Sequence, residues 1–257
     1  MSFAQSQFPQ FEDSCKRVLG IKWDLKSDKF IFRFDIFLKK GRELKLTKRS
    51  ILSLSASVYD PLGFVSPIIC KEKGSWDDKV SLDISKVWFD FLDALENLKV
   101  LEIDRFCFVS NTNEVKSVEL HGYSDSFNVV YCAVVYLRVV FKKCIRVFFL
   151  CSKNKVSPWK KITIPRLELV ACLLLTTSIG SIMRGVSSRI KVDSTHCWAD
   201  SEVTLCWLKG NRKLWKPWVE SRVNIRKVVE KGLWHHVLGE INPADIPTRM
   251  VSDFKEA

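Results

Sequence analysis

The sequence lacks most of the features that announce metal, redox or nucleotide chemistry. Its nine cysteines, at 15, 70, 107, 132, 144, 151, 172, 197 and 206, form an odd and scattered set. No pair has C-x-x-C spacing, so neither a zinc site nor a disulfide framework is expected. Only four histidines occur, His121, His196, His235 and His236, and none stands in H-E-x-x-H spacing. No Gly-x-x-x-x-Gly-Lys loop or Gly-x-Ser-x-Gly elbow is present, which argues against nucleoside triphosphate hydrolysis and serine hydrolysis. The longest apolar run, residues 167–175, is interrupted by Glu168 and is too short to cross a bilayer. Met1-Ser2-Phe3-Ala4-Gln5 lacks the basic and apolar blocks of a signal peptide. These absences lead us to expect a soluble, reduced, intracellular chain, cytoplasmic or nuclear and not secreted, with no membrane partner and no small-molecule cofactor.

What is present is a chain of 257 residues, 47% apolar and 27% charged. That suffices for one large domain or two small ones with hydrophobic cores, and it excludes a disordered tail or low-complexity repeat. The net charge of +12 is unevenly placed. Residues 1–110 hold 18 basic against 16 acidic residues, whereas residues 111–257 hold 23 against 13. A basic field of that size favours a polyanionic partner, with nucleic acid first. Trp215 and Trp218 interleave the basic stretch 209–218; such rings stack on bases or cap a core with equal ease.

Alternation over residues 29–38 predicts a strand, with a turn at Lys39-Lys40-Gly41-Arg42. A helix is expected over 47–58, ended by Tyr59-Asp60-Pro61-Leu62-Gly63. A second helix over 85–98 presents Trp88, Phe91, Leu92, Leu95 and Leu98 on one apolar face. Beyond residue 110 the rhythm changes. Three strands rich in Val, Tyr and Phe are expected at 118–123, 129–137 and 146–152. A long helix opens at Ile164-Pro165, runs to about residue 183, and is apolar nearly all round, so burial is expected. A strand at 195–199, a helix from Asp200-Ser201, a helix after Pro217 towards 230, a strand at 233–238 and a short helix at Pro243 follow. Three sequential strands suggest an antiparallel meander, and the later β-α-β part adds parallel strands. The fold class is therefore α/β, a mixed five-stranded sheet flanked by helices, preceded by a smaller α+β part.

Four acids in the second half sit where elements begin or end: Asp125, Glu168, Asp200 and Asp245. Asp125 suits a turn, Asp200 an N-cap, and Asp245 the first helical turn after an Asn242 cap. Glu168 resists such explanations, because a carboxylate on an apolar helix is costly unless paired or metal-bound. Converging carboxylates repel, and divalent cations relieve the repulsion. Two Mg²⁺ ions held this way would clamp both oxygens of a phosphodiester cut.

The order of elements and the motifs resemble the ribonuclease H domain of retroelement reverse transcriptases, and more narrowly the polyproteins of BEL/Pao LTR retrotransposons. The resembling stretches are 44–67, with Ser55-Ala56-Ser57-Val58-Tyr59-Asp60-Pro61-Leu62-Gly63, and 121–126, 156–174, 198–209, 215–223 and 234–249. The stretches 164–171 and 242–249 are the most specific. The resemblance implies the end of a reverse transcriptase and a connection region over 1–110, then a ribonuclease H-like domain over 111–257. It implies two Mg²⁺ (or Mn²⁺) ions on Asp125, Glu168, Asp200 and Asp245, as metal ligands and catalytic residues. The implied reaction is hydrolysis of the RNA strand of an RNA–DNA hybrid, with the missing polymerase part of the polyprotein as a further partner. Lys153, Lys160, Lys161, Arg166, Arg212, Lys213 and Lys216 are candidates to hold the nucleic-acid backbone.

Departures from the family pattern shape the alternatives. There is no polymerase Tyr-x-Asp-Asp motif, and the only Asp-Asp pair, Asp77-Asp78, follows Trp76. Relatives carry an additional helical stretch between Lys73 and Gly74. Ser126-Phe127 replaces the usual Ala-Ser after the first aspartate. Glu240 stands in the loop where many ribonucleases H have histidine. A decayed nucleic-acid-binding remnant is the alternative. A Pao-type (A17) aspartic peptidase is a further one by family name alone, since no glycine follows Asp125-Ser126, Asp193-Ser194 or Asp200-Ser201.

Overall fold

The computed structural model of the protein describes residues 15–18, 21–57, 75–98, 100–104, 114–128, 130–158, 160, 162–186, 190–210, 215–223 and 233–245. The turn at 59–63 and the step from Lys73 to Gly74 lie outside the described residues. The chain forms two compact units, Met1–Pro61 with Pro67–Asn113, and Leu62–Ser66 with Glu114–Ala257.

In the first unit, strands β1 (Cys15–Val18), β2 (Ile21–Asp24), β3 (Lys29–Arg33) and β4 (Val100–Asp104) form one antiparallel sheet in that order. The strand expected over 29–38 stops at Arg33, and the expected turn at 39–42 lies inside helix α1 (Asp35–Glu43). Helix α1 has an acid in its first turn and Lys40 and Arg42 in its last, which suits the helix dipole. Phe37, Leu38 and Gly41 are buried on one side of it. Helix α2 (Lys48–Ala56) begins at a Thr47–Ser50 capping box. Helix α3 (Leu82–Leu98) buries Trp88, Leu92 and Leu95, as its spacing predicts. A Cβ at position 41 would lie 2.8 Å from Leu92 Cδ2, so glycine is what lets α1 approach α3. Trp88 Nε1 donates to Gly41 O at 3.1 Å across that contact. Strand β4 was not expected from the sequence; its full pairing with β3 supplies the partner. Asp77 pairs with Arg49, and Asp78 accepts from Ser75 N, so the Asp-Asp pair serves a local turn.

In the second unit, β5 (Val115–Phe127), β6 (Val130–Phe141) and β7 (Ile145–Val156) form the expected antiparallel meander. Strands β8 (Ser194–Ala199) and β9 (Trp234–His236) add to it in parallel, giving the order β7-β6-β5-β8-β9. Helix α4 (Ile164–Val186) lies on β5 and β6. A Cβ at Gly122 would fall 2.5 Å from Leu175 Cδ1, so the helix seats directly on the strand backbone. At 23 residues α4 is long and apolar enough by composition to span a bilayer, which the short run at 167–175 does not reveal. Its packing is that of a core helix, with Leu167, Leu169, Cys172, Leu175 and Ile179 buried. Burial is nonetheless one-sided. Leu173, Thr177 and Ser181 form an exposed stripe at helical spacing, and both hydroxyls bond back to the helix carbonyls. Helices α5 (Glu202–Lys209) and α6 (Pro217–Val223) pack with α4. The expected continuation of α6 to 230 lies outside the described residues. Cys132, Cys144, Cys151, Cys172, Cys197 and Cys206 are free thiols.

Candidate metal centre

Parallel pairing of β5 with β8 runs in register from Glu119↔Ser194 to Ser124↔Ala199. The next residue on each strand is an aspartate, so register alone brings Asp125 and Asp200 together at the C-terminal ends of two neighbouring strands. Asp200 is not the cap of α5. Ser201 takes that role by accepting from Thr204 N, which leaves the carboxylate of Asp200 available. Glu168 enters from the first turns of α4. Its Oε1 accepts from Ser126 N at 3.2 Å and Ser126 Oγ at 2.7 Å. One oxygen from each of Asp125, Glu168 and Asp200 lies within 4.8 Å of the other two.

The fourth acid stands at the rim. Asp245 is outside that 4.8 Å group, yet its charge bears on Asp200 and raises it. Its turn is tied down by Asn242, 3% exposed, whose Nδ2 donates to Ser124 O at 3.1 Å, one residue before Asp125. Asn242 Oδ1 accepts from Ala244 N, the cap that its sequence position predicts. The described part of that segment is a turn, and the rest of the expected helix lies outside the described residues.

The electrostatics are those of a site built for positive charge. Burial above all, then the Asp125 charge, pushes the Glu168 carboxyl up to about 9, against hydrogen bonds from Ser126. Burial also raises Asp200, opposed by hydrogen bonds from the backbone and from Asp125. Glu168 Oε2 is buried with no hydrogen-bond partner, an arrangement that costs free energy unless something cationic completes it. Neither Glu168 nor Asp200 has a Lys or Arg ion pair among the described residues. Three hard oxygen donors without sulfur or imidazole fit Mg²⁺, Mn²⁺ or Ca²⁺ and not a soft metal.

Two neighbours escaped the sequence reading. His236 Nε2 donates to Asp200 O at 3.2 Å, and Ser126 holds Glu168. The alternation of a strand separates His235 from His236 but does not say which faces the acids. Glu240 is exposed on the 3₁₀ turn Gly239–Ile241, and a Cβ at Gly239 would lie 3.4 Å from Asp200 Oδ2. Among the basic candidates, Lys153 is exposed on β7, Lys160 and Lys216 are exposed, and Arg166 is half-buried on α4. Lys161, Arg212 and Lys213 lie outside the described residues.

A second group, Glu119, His121 and His196, also brings potential ligand atoms within 4.8 Å. Trp198 Nε1 donates to His121 Nδ1 at 3.3 Å, which leaves the ring proton on Nε2, donated to Glu119 at 3.2 Å. Arg138 pairs with the same Glu119 oxygen at 2.7 Å. Against the upward push of burial, His121, Arg138 and Ser117 hold Glu119 below the usual carboxylate range. These atoms are already committed to one another. The group is a structural network on the sheet.

A five-stranded mixed sheet of this order, with acids gathered at the ends of its two central parallel neighbours, defines a ribonuclease H-like fold. Residues 47–201 match the family described as the Pao retrotransposon-like RNaseH-like domain, and the chain belongs to that family. No curated protein matches the chain. Among solved structures, the N-terminal RNase H domain of a Mycobacterium tuberculosis protein, fused to maltose-binding protein, is 13% identical. It covers 55% of this chain and 98% of its own, with a TM-score of 0.39. RNase H1 of Halobacterium salinarum is 14% identical over 54% of this chain and 99% of its own, with a TM-score of 0.33. A foamy viral protease-reverse transcriptase solved with double-stranded DNA is 10% identical and has a TM-score of 0.47. That match covers 90% of this chain but 46% of the viral one.

Proposed function

We propose that the chain is the ribonuclease H part of a BEL/Pao retroelement polyprotein, an endonuclease for the RNA strand of RNA–DNA hybrids. The observation that carries this reading is the convergence of buried Asp125 and Glu168 with half-buried Asp200, Glu168 Oε2 being left unpartnered. Asp125, Glu168, Asp200 and Asp245 would hold two Mg²⁺ or Mn²⁺ ions. When bound, such ions draw in the scissile phosphate and lower the pKa of the attacking water. The protein's own contribution is positional. Ser126 occupies Glu168 Oε1, His236 steadies the Asp200 backbone, and Asn242 fixes the turn that carries Asp245. Lys153, Lys160, Arg166 and Lys216, with Lys161, Arg212 and Lys213, supply charge for the phosphate backbone. Selectivity for a hybrid rests on 2′-hydroxyl contacts and helix shape. Residues 1–110 are read as the end of a reverse transcriptase and its connection region, residues 111–257 as the nuclease domain, and the polymerase part of the polyprotein as its partner.

An aspartic peptidase also uses a pair of neighbouring carboxyls, and Asp125 and Asp200 stand side by side. The third buried carboxylate beside them favours the nuclease, as does the absence of glycine after Ser126 and Ser201. The deciding experiment is cleavage of a labelled RNA–DNA hybrid in Mg²⁺, beside Asp200→Asn and a double-stranded DNA control. Loss of an outer partner of a metal ligand costs about 10–100-fold, so loss of the ligand itself is expected to cost at least about 100-fold. Binding without cutting, unchanged in the variant, would mark a remnant that keeps only the fold.

A further inference from the structure

Arg166 and Arg222 come from different helices, α4 and α6, yet both rest on one indole. Their Cζ atoms lie 5.1 and 3.9 Å from the Trp218 ring centroid. Arg222 Nη1 also donates to Trp218 O at 3.1 Å, which fixes the direction of its fork. Neither guanidinium has a carboxylate ion pair among the described residues. Glu220, on the same short helix, stands about 160–200° around the axis from Trp218 and Arg222, on the other flank of the buried Val219 and Val223. Two like charges are thus gathered at one ring whose π face attracts cations. An indole offsets only part of their repulsion, and an anion bound beside them would offset more of it.

We infer that Arg166, Trp218 and Arg222 form a clamp for a backbone phosphate of the nucleic acid. The inference rests on the nucleic-acid reading above and assigns it a specific point of contact. The planar fork of each guanidinium matches two phosphate oxygens, which a lysine does not reproduce. Arg166 precedes Glu168 by two residues on α4, about 3 Å of helix rise and about 160° around the axis, so one rigid helix carries the clamp and the carboxylate centre on different sides. The clamp therefore sets the position of the strand relative to the acids as well as adding affinity. The indole holds both forks in place before the nucleic acid arrives, which reduces the ordering cost of binding.

The test is anisotropy of a labelled RNA–DNA hybrid in EDTA across roughly 50–200 mM salt, with cleavage in Mg²⁺ measured separately. Arg222→Gln and Arg166→Gln are each expected to weaken binding about tenfold and to reduce the salt slope by about one. Arg222→Lys keeps the charge and loses the fork; the slope should hold while cleavage falls. Lys116→Gln, an exposed residue near the start of β5, controls for net charge, and melting curves control for folding. Slopes of both Gln variants equal to that of Lys116→Gln, with melting unchanged, would overturn the clamp even if the wild type cuts. A reduced slope in a protein that never cuts would sustain the clamp and sink the nuclease reading. Failure of the wild type to bind the hybrid would overturn both.

Discussion

Replacing Glu168 by glutamine should stabilise the metal-free protein, and more so as pH rises. The folded state keeps the Glu168 proton up to about 9, whereas the ordinary value is 4.5. Between those values the unfolded chain releases a proton that the folded chain retains. Unfolding is therefore favoured as pH rises, and the stability present below the lower value is lost through the upper one. At about pH 8 the linkage amounts to about 4–5 kcal/mol, against less than about 1 kcal/mol near pH 5. Relaxation and water entry into the site reduce the change between those conditions to about 2–4 kcal/mol. Glutamine keeps an acceptor for Ser126 N and Oγ, and its amide replaces a protonated carboxyl of similar shape, so little else changes. Urea unfolding of both proteins at the two pH values, without metal, measures the effect. Added Mg²⁺ should then recover stability in the wild type and little in the variant, because only a ligand that prefers the folded state stabilises it. A pH dependence equal in the two proteins to within about 1 kcal/mol would refute a buried, cation-seeking Glu168.

Two further expectations concern the frame of the site. Gly122→Ala forces a Cβ into the space of Leu175 and Ile179; a loss of about 1–3 kcal/mol in thermal or urea unfolding is expected, and none would mean that α4 does not seat on β5. Asn242→Ala leaves the buried Ser124 carbonyl without its donor, which should cost about 1–3 kcal/mol. Hybrid cleavage should fall with it as the Asp245 turn loosens, by less than in Asp200→Asn, and unchanged cleavage would remove Asp245 from the site.

Elements whose signals are local were legible in the sequence. The Val- and Tyr-rich meander, the opening of α4 at Ile164-Pro165 and the Asn242 cap all follow from neighbours a few residues apart. So does the odd placement of Glu168 on an apolar helix, which pointed to a metal before any contact was known. Local signals also misled. Phe34, Phe37 and Leu38 continue a strand-like pattern, but Phe37, Leu38 and Gly41 share a helical face, and packing on Trp88 and Leu92 selects the helix. That choice depends on a partner 47 residues away. The cap of α5 passed from Asp200 to Ser201 because the β5–β8 register draws Asp200 towards Asp125. Long-range packing makes His236, not His235, the ring that reaches Asp200, and brings Asn242 to Ser124 from 118 residues away. Periodicity and capping are set by the chain's own next turn. The convergence of carboxylates is set by register between strands that the sequence keeps far apart.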